Sequence, residues 1–201
     1  MNALLAIALH LAALLESNPP LVLVVKDKDS SGIGAAVIVD ARGFAVTCQH
    51  VVGRRSQVIV GFREGTFLPA AVVARQPEND LALLKLPGPW RYVPVALADG
   101  PPRVRDPVLA WGHPKGYSWT MTSGTVTALG RTIKLPDGDP VAGVLQTDAA
   151  INGGNSGGLL MNARGELVGV PLAIHEGSAG IAFAVPVGTV RKFLAEHLPP
   201  R

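Results

Sequence analysis

Three short segments carry side chains that could do chemistry together. Ser156 lies in the glycine-rich turn 154–158, His50 comes just after the strand-like run 44–48, and Asp80 immediately precedes the run 81–86. A serine hydroxyl becomes a good nucleophile only when a base removes its proton, and that base needs an acid to orient it. Alone, these residues would be a turn serine, a packed histidine and an aspartate bonding local amides. In the chain order His, Asp, Ser they predict a catalytic triad with Ser156 as nucleophile, His50 as base and Asp80 as acid.

The glycines beside Ser156 predict an oxyanion hole. Attack on a carbonyl carbon creates a negatively charged oxygen that requires preorganised hydrogen-bond donors. Backbone amides converge on such an oxygen only where the chain adopts unusual dihedral angles, which glycine permits. We expect the amides of Gly154 and Ser156 to be the donors, and the loss of one such donor typically costs about 2.7–4 kcal/mol.

The elements that must position these residues are short strands. The chain has 201 residues, of which 48% are hydrophobic and 16% charged, with 23 glycines and 17 prolines spread along it. Short apolar or alternating runs separated by turn residues indicate an all-β fold, a barrel or a sandwich, with six strands in each half. Helical patterns of 10–15 residues do not alternate with these runs, which excludes a doubly wound α/β sheet. The predicted strands are 21–26, 35–40, 44–48, 57–62, 67–75, 81–86, 107–111, 121–129, 141–147, 158–161, 167–173 and 181–185.

Composition also predicts the domain boundaries. We expect a first six-strand half at 21–98, a proline-rich linker at 99–106, a second half at 107–186, and a helix and tail at 187–201. Together, residues 21–201 would form one catalytic domain. The segment 1–20 is either a packed apolar helix or a signal-like segment. Its apolar run is too short to span a bilayer, so no integral membrane span is expected.

Charge and residue counts exclude several classes of partner. The formal charge is only +3, the basic pairs do not grow into runs, and aromatic residues make up 5% of the chain, so no nucleic-acid partner is expected. Cys48 is the single cysteine, which rules out an internal disulfide, and it is predicted to be a small buried residue. The five histidines are scattered, and His113 is predicted to be a turn residue. We therefore expect no metal and no cofactor.

The same segments resemble the HtrA/DegP-type serine proteases, in order and over nearly the whole chain from about residue 21 to 195. The resemblance implies two six-stranded antiparallel barrels of the chymotrypsin/trypsin type with the active site between them. It implies ATP-independent endoproteolysis of unfolded or misfolded proteins in protein quality control, with the roles of Ser156, His50, Asp80 and Gly154 as above. The segments that carry it are 34–40, 47–52, 79–84, 122–131, 146–158 and 180–186.

Further implications concern location, assembly and departures from the family. The resemblance implies the cell envelope, the periplasm or secretion, and a homo-oligomer, which in that family is a trimer. Members usually carry PDZ domains after the protease, and the 201 residues contain none, so peptide sensing is expected to be absent or to come from elsewhere. Relatives place a polar residue near position 172 that helps to hold the acid. Leu172 therefore predicts a less well oriented Asp80.

The specificity pocket is predicted from the same segments. Its base and facing strand contain small and apolar side chains without a carboxylate, so a basic side chain there would be buried unpaired. We expect cleavage after a small or medium apolar residue such as Val or Ala. The residues predicted to bind substrate are Ala150, Ile151, Leu172, Ala173, Ala182 and Ala184.

Parts of the sequence are also compatible with two other functions. Gly154-x-Ser156-x-Gly158 matches the nucleophile elbow of lipases and esterases, but that fold needs an acid and then a histidine after the serine. After Ser156, Glu166 and His175 could serve as this acid and histidine. They are only nine residues apart, which leaves little room for the secondary structure of that fold between them. The other rival is a catalytically weak trypsin-fold protein that binds polypeptides as a chaperone or scaffold, which Leu172 and the missing PDZ domain keep open.

Overall fold

The computed structural model describes residues 22–26, 33–62, 65–89, 92–114, 117, 119–135, 140–174 and 180–200. The segment predicted at 1–20 lies outside the described residues. In the part that is described, no helix is both long and apolar enough to cross a membrane.

Six antiparallel strands form a first closed barrel. Their spatial order is β1-β2-β3-β6-β5-β4, and β4 closes the barrel by pairing with β1. Valine, isoleucine and leucine dominate these strands, as expected for a pleated and half-buried surface. The strands are β1 (Val22–Lys26), β2 (Ile33–Asp40), β3 (Phe44–Cys48), β4 (Gln57–Gly61), β5 (Phe67–Gln76) and β6 (Leu81–Lys85).

A second closed barrel repeats this arrangement. Its order is β7-β8-β9-β12-β11-β10, with β10 pairing back to β7. The prediction of two six-stranded antiparallel barrels is confirmed. The longest strand, β8, exceeds its predicted length because three register shifts let it bend and continue beside β9. The strands are β7 (Pro107–Gly112), β8 (Thr120–Lys134), β9 (Pro140–Thr147), β10 (Leu159–Met161), β11 (Leu167–Ile174) and β12 (Ala182–Pro186).

Two α-helices and the 3-10 turn Pro77–Asn79 complete the described elements. The short α1 (Gln49–Val52) follows β3 directly, and α2 (Val187–His197) follows β12. Helix α2 buries an apolar stripe that contains Val190 and Phe193. This stripe belongs to a large apolar cluster that also contains residues of both barrels, so the helix helps to hold the barrels together.

The described core consists of three apolar clusters. One fills the first barrel, another fills the second, and the third lies between the barrels and under α2. Alternation along β3 shows the division: Ala45 faces the barrel interior, whereas Val46 and Cys48 belong to the cluster between the barrels. This packing brings the ends of strands from both barrels together at their junction.

The connection between the barrels packs on the second barrel before the predicted linker begins. Leu97 forms a parallel bridge with Leu167 of β11, and the Ala98 amide donates to the Leu167 carbonyl at 3.0 Å. Arg191 of α2 donates to the carbonyl of Ala98 at 2.9 Å. Residues near 97 thus contact the second barrel, although the sequence assigned them to the first.

Candidate active site

His50 and Asp80 form a doubly hydrogen-bonded pair. The His50 backbone amide donates to Asp80 Oδ1 at 2.8 Å, and the ring Nδ1 lies 2.6 Å from Asp80 Oδ2. A carboxylate can only accept, so Nδ1 carries the proton and Nε2 is left as an acceptor. The His50 side chain is 41% exposed, whereas that of Asp80 is 2% exposed. A buried carboxylate therefore orients an accessible imidazole ring.

Local structure places both members of the pair. His50 is the second residue of α1. The amide of Gln49, the first residue of this helix, donates a hydrogen bond to the Asp80 carbonyl oxygen at 3.0 Å. Asp80 ends the 3-10 turn Pro77–Asn79 in the left-handed conformation, with φ 51° and ψ 42°. Aspartate tolerates this conformation better than most residues. It directs the side chain to α1 while β6 begins at the next residue.

Ser156 lies at the junction between the barrels, in a turn of the second barrel that packs against the first. The Ser156 carbonyl accepts the Ala35 amide at 2.8 Å. The next residue, Gly157, has φ +84°, and a Cβ there would lie 2.2 Å from the Ala35 carbonyl oxygen and 2.3 Å from Thr47 Oγ1. Glycine is thus required both by conformation and by space. The serine turn rests directly on the end of β3, the strand that leads into His50.

The Ser156 hydroxyl donates to the Leu172 carbonyl oxygen at 3.2 Å. Leu172 lies at a register shift between β11 and β12, where Pro171 pairs with Ala184 and Ala173 with Phe183. Such a bulge leaves its extra residue outside the ladder, so the Leu172 carbonyl is available to other donors. The Leu172 side chain is buried in the cluster between the barrels, so this residue reaches the site with its backbone.

Gly154 adopts a positive φ and is closely packed against the backbone of His113. Its φ is +102°, and a Cβ there would lie 2.1 Å from the His113 carbonyl oxygen. Its own carbonyl accepts the His113 amide at 3.3 Å. Within the described residues, the amides of Gly154 and Ser156 donate to no protein group. Both are therefore free to bind an added oxygen.

His113 is a residue of this region that the sequence assigned to a turn. It follows β7, is fully buried, and lies against Gly154 through both its amide and its carbonyl. Its Nδ1 accepts the Trp119 amide at 3.0 Å. Burial lowers the pKa of His113 to about 4. The Leu23 backbone carbonyl raises this pKa and the charge of Lys26 lowers it, but burial is the largest of the three effects. Nothing local in the sequence connects residue 113 to residue 154, so only long-range pairing could have revealed this contact.

Cys48 lies next to the His50–Asp80 pair. One ligand atom from each of Cys48, His50 and Asp80 lies within 4.8 Å of the others. Two ligands of a zinc ion at about 2.0–2.2 Å would be more than about 3 Å apart, whereas the histidine nitrogen and carboxylate oxygen are separated by 2.6 Å. Burial raises the pKa of the Cys48 thiol well above its usual value, which disfavours the thiolate that a metal requires. The arrangement suits hydrogen bonding better than metal coordination.

The residues predicted to bind substrate fall into different environments. Ile151, Ala182 and Ala184 share the buried cluster of the second barrel. Ala150 is exposed, and its carbonyl accepts the Thr122 hydroxyl at 2.9 Å. Ala173 lies in β11 opposite Phe183, and its side chain lies outside the described part of the structure.

The chain is similar in sequence to known serine proteases. Residues 34–170 match the family model described as "Trypsin-like peptidase domain". The periplasmic serine endoprotease DegP of Salmonella typhimurium is 40% identical over 170 residues, which cover 82% of this chain and 35% of DegP. The periplasmic pH-dependent serine endoprotease DegQ of Escherichia coli is 38% identical over 172 residues, covering 83% of this chain and 37% of DegQ. The chain thus spans about a third of the length of these curated relatives.

Solved structures show the same relationship. A serine endoprotease from Yersinia pestis superposes with a TM-score of 0.78 at 32% identity, covering 92% of this chain and 65% of the other. The HtrA-type protease AlgW, in a structure with a tripeptide, gives a TM-score of 0.78 at 35% identity, with 92% and 62% coverage.

Proposed function

Because this chain belongs to the trypsin-like peptidase family, we propose that it is a serine endopeptidase whose nucleophile is Ser156. The observation that carries the proposal is the 2.6 Å hydrogen bond between His50 and the buried Asp80, at the junction where the serine turn packs. This bond fixes the ring tautomer that a general base requires.

The reaction follows the roles of these atoms. His50 Nε2 takes the Ser156 hydroxyl proton as Oγ attacks the substrate carbonyl carbon. The oxygen becomes negatively charged and is bound by the free amides of Gly154 and Ser156. His50 then returns the proton to the leaving amine as the peptide bond breaks. Water hydrolyses the resulting acyl-enzyme through the same base.

The proposed specificity is for a small or medium apolar residue before the cleaved bond. Ile151, Ala182 and Ala184 provide short apolar side chains in one cluster. A lysine or arginine entering such a cluster would lose hydration without gaining a counter-charge. Valine or alanine carries no charge to desolvate, so burial of its side chain among these residues is favourable.

The proposed substrates are unfolded or misfolded polypeptides. The Leu172 carbonyl at the bulge of β11 is positioned to accept a backbone amide of an extended segment. Folded proteins seldom expose a segment with unpaired backbone groups, because those groups are paired in their own secondary structure. An unfolded chain exposes them along its whole length.

The test is proteolysis of casein by wild type, Ser156→Ala and the matched control Ser56→Ala, which removes a hydroxyl from an exposed residue of the first barrel. We expect cleavage and fluorophosphonate labelling in wild type and in Ser56→Ala, and neither in Ser156→Ala. Mass spectrometry of the fragments should find small apolar residues before the cut. Undiminished cleavage by Ser156→Ala would refute the nucleophile, and cleavage confined to lysine or arginine would refute the pocket.

A polypeptide-binding protein with weak catalysis is the second candidate function. It is favoured by the hydrogen bond that Ser156 Oγ donates to the Leu172 carbonyl, since this bond directs the hydroxyl proton to an oxygen that cannot act as a base. Absence of fluorophosphonate labelling in wild type that still binds casein would support it.

A further inference from the structure

Cys48 occupies a central position behind the proposed triad. It is the last residue of β3, two residues before His50, and it pairs across the sheet with Leu81, the residue after Asp80. Its side chain is fully buried. Its Sγ lies within 4.8 Å of both the His50 ring nitrogen and the Asp80 carboxylate. A substitution of this side chain would therefore change the surroundings of both His50 and Asp80.

The thiol also reaches the other barrel. Cys48 Sγ–H donates to the Pro171 carbonyl oxygen at 3.2 Å. The same oxygen accepts the amide of Gly157 at 2.8 Å, and Gly157 directly follows Ser156. The Pro171 carbonyl thus connects the thiol behind the acid–base pair to the turn that carries the nucleophile.

This junction has little room for adjustment. A Cβ at Gly157 would lie 3.0 Å from the Cys48 amide nitrogen and 2.3 Å from Thr47 Oγ1. The backbone of the serine turn is therefore pressed against the end of β3. Catalysis is sensitive to such spacing, because a misplacement of about 1 Å can lower the rate about 100-fold.

The thiol remains a donor under working conditions. Burial raises its pKa well above the usual value, and the nearby negative charge of Asp80 adds to the effect. Leu172, at the position where the family resemblance implies a polar neighbour of the acid, is apolar and buried. The Cys48 thiol, by contrast, is a polar group that lies close to the Asp80 carboxylate.

We propose that Cys48 is a positioning residue, whose hydrogen bond to Pro171 sets the distance between the serine turn and the His50–Asp80 pair. The proposal rests on the proposed function. Cys48 is fully buried, and it acts through the Pro171 carbonyl that it shares with Gly157.

The test compares Cys48→Ala and Cys48→Ser with Val46→Ala. Val46 is equally buried on the same face of β3, so its truncation is a matched change without loss of a donor. Cys48→Ala should lower kcat about tenfold or more while KM changes less than about twofold. Cys48→Ser, which keeps a donor, should recover most of kcat. Val46→Ala should lower the thermal midpoint and leave kcat per folded molecule unchanged.

Two further measurements separate positioning from simple packing. The low-field proton resonance of His50 Nδ1–H should shift in Cys48→Ala and not in Val46→Ala. Cys48→Val fills the space of the thiol without a hydrogen-bond donor, so its kcat should fall as much as that of Cys48→Ala. If Cys48→Ala does not fold, Cys48→Val takes its place in the comparison.

Several outcomes would overturn the proposal. These are wild-type kcat in Cys48→Ala or Cys48→Val, equal losses in Cys48→Ala and Val46→Ala, or no recovery in Cys48→Ser. Each of these outcomes is measured against an active wild-type enzyme, so the proposed function itself would stand. A wild type that neither cleaves casein nor reacts with fluorophosphonate would instead refute the proposed function.

Discussion

The stability of the protein in acid should depend on His113. Its ring is fully buried, and burial lowers its pKa from 6.5 to about 4. As the pH falls, the unfolded chain binds the proton first, near the ordinary value, whereas the folded protein binds it only near the lowered one. Protonation therefore favours unfolding. The stability contributed by the neutral ring is present above about pH 6.5 and is lost as the pH falls towards about 4.

The size of this effect follows from the two pKa values. The difference between 6.5 and about 4 corresponds to about 3 kcal/mol once the pH is below both values. About 2 kcal/mol of this should be lost between about pH 7 and pH 5, because the unfolded histidine is then almost fully protonated and the folded one is not. A loss of this size is a large fraction of the stability of an ordinary domain.

The assay is urea unfolding at the two pH values, for the parent and for His113→Asn, both carrying Ser156→Ala to prevent self-digestion. Asparagine does not titrate, and its side-chain oxygen can replace Nδ1 as the acceptor for the Trp119 amide. The carboxylates are common to both proteins, so their titration cancels in the comparison. The parent should lose about 2 kcal/mol more than the variant on acidification. Equal losses would mean that the folded ring accepts a proton near its ordinary pKa, and the reasoning from burial would be wrong.

Two other predictions concern the proposed catalytic geometry. Gly157→Ala should lower kcat at least about tenfold and cost more than about 1–2 kcal/mol in unfolding free energy, since the new Cβ meets the Ala35 carbonyl and the residue has positive φ. The control Gly153→Ala, whose Cβ would have no neighbour within 4 Å, should change kcat little, and similar kcat losses in both variants would refute the steric argument. Asp80→Asn should lower kcat about 10⁴-fold with the fold retained in circular dichroism, because an amide can donate to His50 Nδ1 and so favour the wrong tautomer. A loss below about tenfold would mean that Asp80 does not orient the base.

Much of the fold could be predicted from short-range patterns. Apolar runs of four to eight residues, separated by glycine and proline turns, are a property of neighbouring residues, and they located twelve strands that the structure contains. The boundaries of β8 were less accurate, because its bends arise from register shifts against β9 that depend on the partner strand. The sequence assigned residues near Leu97 to the first barrel, and it did not indicate that they also contact the second barrel through long-range pairing.

The residues of the proposed site could also be predicted only in part from the sequence. Ser156, His50 and Asp80 were selected by residue type, glycine spacing and chain order, and their roles stay predictions that the variants above test. The family resemblance also implied that Leu172 replaces a polar neighbour of the acid, but nothing in the sequence indicated that a bulge turns the carbonyl of this residue towards Ser156.

The sequence by itself determined the strands, the two six-strand halves and the residue types available for acyl transfer, because these depend on local periodicity and on side-chain chemistry. Only the tertiary structure decided which groups surround them. Cys48 and Pro171 are 123 residues apart in the chain and meet because the barrels pack at the end of β3. His113 contacts Gly154 because β7 and β10 pair to close the second barrel. Such contacts depend on barrel closure and on packing between barrels, which no local stretch of sequence encodes.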